Sequence, residues 1–382
     1  MKSKTFFILL ALCAALTGVA WFVIQPERSK PDAGGGHLLA ELPVNDILRI
    51  EITGSDSAVA LEKGEAVWVV KERFGYPADF PKLTDLVVKL RDMKIDRSFP
   101  ADADTLDRLS LRAPGSASET PAAAGTRIRL TGREGKALAD ILIGKARESD
   151  VGRGGNFVMP EDGKTIYLVD QEFNLLKAAP EEWIDKELLD ISPERVERVE
   201  RIDPKSKAPL YTVKRPTASQ PPEIMDAPEE KKLLPTKLNQ LMDALSAFRI
   251  EDVLDPKTPS AKTGIGEGRC FDYTLFDGTC YNICLGKTVE GKPDWTYLKA
   301  DVSFTPPPAP EKETPTDAKK APEETKAPEA GKTETKTDAA PEKTEDPAKA
   351  AAARHEKINP WIFAVPQWKA DQFIAEKADF FE

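Results

Sequence analysis

Arg127-Ile-Arg-Leu130 followed by Leu138-Ala-Asp-Ile-Leu-Ile-Gly-Lys145 is one stretch that decides the fold. Cys270-Phe-Asp-Tyr-Thr-Leu-Phe276 followed by Thr279-Cys-Tyr-Asn-Ile-Cys-Leu-Gly-Lys287 is its counterpart. Each alternates apolar and polar residues, the period of a half-buried strand. Each is broken by a short polar turn, and Asp277-Gly278 is a strong two-residue hairpin signal. The Gly-Lys pairs at 144–145 and 286–287 set the two hairpins in register.

Working outward, the same elements recur on both sides. Asp46-Ile-Leu-Arg-Ile-Glu-Ile52 and Arg195-Val-Glu-Arg-Val-Glu-Arg-Ile202 read as opening strands. Second strands follow near Val67–Val70 and Leu210–Val213. Amphipathic helices are predicted over Phe80–Lys94 and Pro235–Phe248, with stripes at Leu83, Leu86, Val87, Leu90 and Met93, and at Leu238, Leu241, Met242, Leu245 and Phe248. Lys94-Ile-Asp-Arg97 matches Arg249-Ile-Glu-Asp252 at their exits. A last hairpin is predicted from Asn156–Met159 with Lys164–Val169, and from Trp295–Ala300 with Pro360–Val365. Closing helices are predicted over Gln171–Leu176, Trp183–Leu189 and Gln367–Phe381. An ordered run of matching elements is the mark of an internal duplication. The expected architecture is α+β: two tandem similar modules at 42–190 and 191–382, each a mostly antiparallel sheet with about two helices.

Residues 5–24 carry no charge and are long enough to span a bilayer as a helix. Lys2 and Lys4 place the N-terminus in the cytoplasm, and the rest of the chain across the membrane. Residues 1–24 therefore read as an uncleaved anchor and 25–41 as a tether. A signal peptide cut after Ala20 is the rival reading, but the apolar run continues through Trp21-Phe-Val-Ile24. A lipoprotein signal at Cys13 fits less well, because bulky Leu12 precedes it.

The tract at 305–354 is Pro, Ala, Lys, Glu, Thr and Asp with no large apolar residue, which predicts a disordered loop insertion. The repeat places it in the turn of the last hairpin, opposite Glu161-Asp-Gly-Lys164. Closing so long a loop costs about 2 kcal/mol more than closing a tight turn, so the hairpin should survive it.

The 382 residues leave room for two domains, and 31% charged with 40% hydrophobic residues suits a folded polar body rather than a polytopic membrane protein. A formal net charge of -10 argues against a nucleic-acid partner. Two histidines, His37 and His355, both beside linker-like sequence, leave little for imidazole-based metal sites or catalytic triads. Gly286-Lys-Thr288 lacks the leading glycine of a phosphate loop, since Tyr281 stands there. Gly264-Ile-Gly-Glu-Gly268 and Gly152-Arg-Gly-Gly155 read as flexible loops. Glu181-Glu182 and Glu229-Glu230 fall at helix starts or in loops, with nothing to converge them. Trp68, Trp183, Trp295, Trp361 and Tyr167 read as core.

An ideal two-residue turn would pair Phe271 with Cys284 and leave Cys270 one position off. It would also hold Cys280 and Cys284 about 13 Å apart on one strand. Cys270, Cys280 and Cys284 are then either buried thiols or supply one disulfide through a bulge. No catalytic, cofactor-binding or metal-binding residue is identified.

The strand Ile47-Leu-Arg-Ile-Glu-Ile52, Trp68, Tyr76-Pro-Ala-Asp79, Ile141-Leu-Ile-Gly-Lys145, Tyr167-Leu-Val-Asp170 and Trp183-Ile-Asp-Lys-Glu-Leu-Leu189 give the chain a further likeness. With the anchor, they resemble the family catalogued as domain of unknown function 4340. The resemblance implies a single-pass, membrane-anchored bacterial envelope protein with its bulk in the periplasm. It also implies an auxiliary role beside an ABC-type transporter linked to gliding motility, with permease and ATPase as partners. The second module lacks the Tyr-Pro-Ala-Asp lead-in. The expectation is a non-enzymatic protein-binding or scaffold subunit. The alternative is an envelope hydrolase or glycan-binding protein with a site in the cleft between the modules.

Overall fold

The computed structural model describes residues 35–115, 124–147, 154–306 and 346–382. The chain divides into two compact units between Asp185 and Lys186. Both are α+β with all-antiparallel sheets. No helix among the described residues is long and apolar enough to cross a membrane, and the anchor expected at 5–24 lies outside those residues.

The first unit contains β1 (Arg49–Thr53), β2 (Ala58–Lys63), β3 (Trp68–Val70), β4 (Tyr76–Pro77), α1 (Phe80–Asp92), β5 (Ile95–Pro100), α2 (Ala103–Arg108), β6 (Thr126–Thr131), β7 (Ala137–Ala146), β8 (Asn156–Pro160) and β9 (Thr165–Val169). Its nine-stranded sheet runs β4-β3-β2-β1-β6-β7-β8-β9-β5. Alternation puts Ile50, Ile52, Leu61, Ile128 and Leu130 on one fully buried face. Arg49, Glu51, Arg127 and Arg129 fall on the other. Asp79 starts α1 by accepting a bond from the Lys82 amide at 3.0 Å. The helix carries the chain from edge strand β4 to the opposite edge strand β5, with Leu83, Leu86, Val87 and Leu90 buried.

The second unit contains β10 (Glu187–Leu189), β11 (Val196–Ile202), β12 (Pro209–Lys214), β13 (Glu223–Ile224), α3 (Pro235–Met242), β14 (Phe248–Arg249), β15 (Asp252–Leu254), α4 (Ser260–Thr263), β16 (Arg269–Leu275), β17 (Thr279–Val289), β18 (Lys292–Phe304), α5 (Pro347–Ile358), β19 (Ile362–Pro366) and α6 (Gln367–Ala370). Its main sheet runs β13-β12-β11-β16-β17-β18-β19-β15. With β11 in the place of β1, this is the strand order of the first unit less one edge strand.

The duplication extends to single hydrogen bonds. Where the first unit closes, the Asp79 amide donates to Trp183 O at 2.8 Å and the Asp185 amide to Pro77 O at 2.9 Å. In the second, the Leu234 amide donates to Phe380 O at 2.8 Å and the Glu382 amide to Lys232 O at 2.9 Å. Where the units open, the Ile95 amide donates to Gly36 O and the Ile250 amide to Lys186 O, both at 2.9 Å. So Gly35 to Leu38, expected as tether, lie along β5, and β10 lies along β14 in the same way. The matched glycines have one shared cause. A Cβ at Gly144 would lie 2.3 Å from Leu109 O, and one at Gly286 would lie 2.2 Å from Thr263 O. In both units the C-terminal end of a short helix presses a backbone carbonyl onto the strand.

Several expectations are corrected. The helix predicted to Phe248 ends at Met242, and Ala247 turns the chain with φ 43° so that Phe248 can enter β14. No helix forms over Trp183–Leu189. Trp183 and Ile184 are consecutive buried residues whose backbone pairs with the lead-in to α1, and Glu187–Leu189 is β10. Residues 171–176 form no helix, and the segment predicted as helix to Phe381 holds one α-helical turn, α6, and a separate 3-10 turn at Lys377–Phe380. The tract expected to be disordered through 354 is helical from Pro347. Asp346 caps the Ala348 amide at 3.1 Å, Pro347 takes the first turn, and Ala351 and Ile358 are buried. The remainder of that tract, 307–345, lies outside the described residues.

The hairpin that opened the sequence reading has a three-residue loop, Phe276-Asp277-Gly278, with Gly278 at φ 87°. The extra residue shifts the register by one. Cys270 then lies directly opposite Cys284, with Cα atoms 4.1 Å apart, and the two form a disulfide.

Gly144→Ala and Gly286→Ala should each destabilise the protein by about 1–3 kcal/mol, because the clashing atom is backbone. Urea unfolding with an unchanged slope would check this.

Candidate functional site

Three clefts are lined by charged side chains together with apolar ones. The first unit contributes one, of about 380 Å³, lined by Leu106, Leu111, Leu142 and Met159 with Arg127, Asp140 and Glu161. Alternation on β6 points Arg127 and Arg129 outward, and β7 brings Asp140 beside them. The Asp140 side chain is only 3% exposed. It accepts two bonds from Arg127, at 2.7 and 2.6 Å, and one from Arg129 at 2.9 Å. Glu161 stands within 4 Å of both arginines, at 3.8 and 3.9 Å. The hydrogen bond to Asp140 raises the Arg127 pKa. Two cations and two anions thus neutralise one another, and the network needs no ligand. Next to it, Leu111, Met159 and Ile166 form a small second core under α2, packed by Phe99, Leu106 and Leu142.

Two further clefts adjoin at Glu194, at the end of the second unit's sheet where β11 begins and β12 ends. One, of about 430 Å³, is lined by Glu194, Arg195, Pro216, Thr217, Phe276 and Asp277. Its ion pair is Arg195 to Asp277 at 2.8 Å. Partial burial pushes the Asp277 pKa up, but bonds from the Thr279 backbone and side chain and from Arg195 outweigh it, and the net shift is downward. The other, of about 390 Å³, is lined by Pro193, Glu194, Arg215, Asn239, Gln240 and Asp243. Arg215 is 7% exposed, and its Nη1 donates to Pro193 O at 2.9 Å. Sequence reading did not single it out. Pro193 and α3, which bury it, are distant in the chain, so no local signal exists.

The motifs weighed in the sequence fall elsewhere. Gly286 lies inside β17, against Thr263 O, and not in a loop that opens a helix. Gly264 ends α4 with φ 69°. Gly152 and Arg153 lie outside the described residues. Glu181 pairs with Arg73 at 2.9 Å and Glu182 with Lys177 at 3.1 Å, so both are spent on surface ion pairs. Trp183 is buried, its Nε1 donating to Lys177 O at 2.7 Å, with Lys82 Nζ 4.9 Å from its ring. Trp68, Trp295 and Tyr167 are half-buried. Cys280 is a free thiol on the outward side of β17, and burial raises its pKa, which keeps it protonated. No group of three or more His, Cys, Asp or Glu side chains that could hold a metal occurs among the described residues.

The residues of Tyr76-Pro-Ala-Asp79 and Trp183-Ile-Asp185 that carried the likeness prove to be one structural unit, the paired closure of the first sheet. A family model described as domain of unknown function (DUF4340) matches residues 68–265. The chain belongs to this family. No curated protein and no solved structure matches the chain.

The matched span of this DUF4340 protein begins at β3 and stops after α4, so it crosses the division between the two units. It omits β1 and β2 from the first sheet and β16 to β19 from the second. A fragment of residues 68–265 should therefore fail to unfold cooperatively in urea, while residues 35–185 should do so, each followed by circular dichroism.

Proposed function

We propose that the chain is a non-enzymatic, membrane-tethered extracytoplasmic binding or scaffold subunit that serves an ABC-type transporter. The observation that carries this reading is the Cys270–Cys284 disulfide. Disulfides persist in oxidising compartments and are rare in the cytosol. That agrees with the topology read from Lys2, Lys4 and the apolar residues 5–24, which puts the folded units outside the cytoplasm. The backbone is already held on β5 from Gly35, so only residues 25–34 would separate the anchor from the first sheet. Fully extended, that length reaches about 35 Å. The first unit would thus work close to the membrane surface, within reach of a permease.

Large apolar side chains exposed at the β3–β4 end of that unit suit a protein contact: Val67 at 53%, Phe74 at 51% and Phe80 at 58%. Phe74 is held in the left-handed region at φ 60°, which fixes its exposed position at some conformational cost.

Native-level protein drawn from gently solubilised membranes should co-purify a permease and an ATPase in stoichiometric amounts, identified by mass spectrometry. Clean protein in the membrane fraction, with no partner, would overturn the transporter role. Unfolded without reductant, the same material should take up alkylating reagent at Cys13 and Cys280 only, and at all four cysteines after reduction. Replacing Cys270 and Cys284 by serine should cost about 3 kcal/mol, given the sequence separation of 14.

A further inference from the structure

We propose that the cleft around Arg215 in the second unit binds an amino acid or short peptide, holding its carboxylate on the Arg215 guanidinium. Arg215 is 7% exposed, and no carboxylate among the described residues stands within ion-pair distance of it. Its one side-chain hydrogen bond, from Nη1, goes to a backbone carbonyl, that of Pro193. Its Nε is buried without a partner. A guanidinium has five donors and cannot shed its charge, so burying it uncompensated is costly. A purely structural brace to Pro193 would use one donor and would not need a charge. The donors left on the two terminal nitrogens, Nη1 and Nη2, match the forked geometry of a carboxylate.

The other lining residues narrow the ligand. Glu194 and Asp243 are exposed and take part in no ion pair within 4 Å among the described residues, although Lys369 is in electrostatic reach of Asp243. The cleft therefore has a buried cation on one side and two acids at its mouth. Inorganic phosphate would meet Arg215 but be repelled by both acids. An amine alone would satisfy the acids and be repelled by Arg215. A ligand with a carboxylate and an ammonium satisfies both, and the side-chain amide of Asn239 can serve a peptide group, while Gln240 Nε2 already donates to Asp371 O at 3.0 Å. The volume, about 390 Å³, falls in the range of small-ligand sites.

The first unit supplies a built-in contrast. The Lys63 amide donates to Leu48 O at 2.9 Å as the Arg215 amide donates to Glu197 O at 2.7 Å, so the two residues hold equivalent positions. Lys63 is exposed. The buried cation therefore belongs to the second unit alone.

The test is calorimetric titration of the purified full-length protein with alanine, dialanine, acetate and inorganic phosphate. Dialanine or alanine should bind saturably at one site, with acetate and phosphate at least about tenfold weaker. Arg215→Lys should weaken binding by about tenfold or more, because the fork is lost while the charge stays. Should that variant fail to fold, Glu194→Gln, at an exposed position, should still weaken dialanine several-fold with the melting temperature unchanged. No saturable binding of alanine or dialanine up to about 10 mM, phosphate binding tighter than either, or binding that neither Arg215→Lys nor Glu194→Gln changes would each overturn the proposal.

Discussion

Each sheet depends on one seam. In the first unit β1 pairs with β6, and in the second β11 pairs with β16. On one side of the seam the strands form the meander β1 to β4, and on the other β6 to β9. Most other pairings join near neighbours in sequence, which is inexpensive in loop entropy; β5–β9, β15–β19, β18–β19 and β10–β14 are the distant ones, and none of them joins the two meanders of a sheet. The seam joins residues far apart, and its side chains bear that cost. Ile50 faces Leu130 and Ile52 faces Ile128, all fully buried. Without the seam each meander would expose its apolar face, and a few strands with one open face hold little core.

The second unit keeps this frame and changes what it presents. At the seam, Arg201 takes the inward place that Ile52 holds in the first unit, beside Phe271 and 5.3 Å from its ring centroid. Burial lowers its pKa. The disulfide Cys270–Cys284 stands where the first unit pairs Arg127 with Leu142. Asp272 and Asn282 stand where the first has Arg129 and Asp140. Backbone constraints such as Gly144 and Gly286 are thus shared, while the side chains on both faces have diverged. Shared geometry accounts for the fold, and function is to be sought in the differences.

The order of elements was legible because period-2 and period-3.6 patterns are local. So was the start of α1, where Asp79 caps a Leu stripe. What failed was set by single residues or by distant ones. The hairpin register turned on one extra loop residue, Phe276, and with it the fate of Cys270 and Cys284. Trp183 and Phe380 read as helical because both are apolar and near Leu or Phe, yet both serve as backbone partners of a lead-in some hundred or more residues earlier. Arg215 gave no sign at all. Its meaning comes from Pro193 and α3, which only the fold brings to it.

The divergence also has a direction. The first unit keeps its outward charges paired: Arg49 with Glu51 and Glu62, and Arg127 and Arg129 with Asp140. Such pairs contribute little to stability each and leave a neutral, self-contained surface. The second unit carries the disulfide, the insertion between β18 and α5, the buried Arg201 and the buried Arg215. Buried cations weaken a fold unless something offsets them. A disulfide that restricts the unfolded chain is one such offset, and it closes the hairpin whose strand β16 forms the second unit's seam. On this argument the second sheet is reinforced where its sequence departs most from the first, and can hold polar groups that a plain apolar seam would exclude.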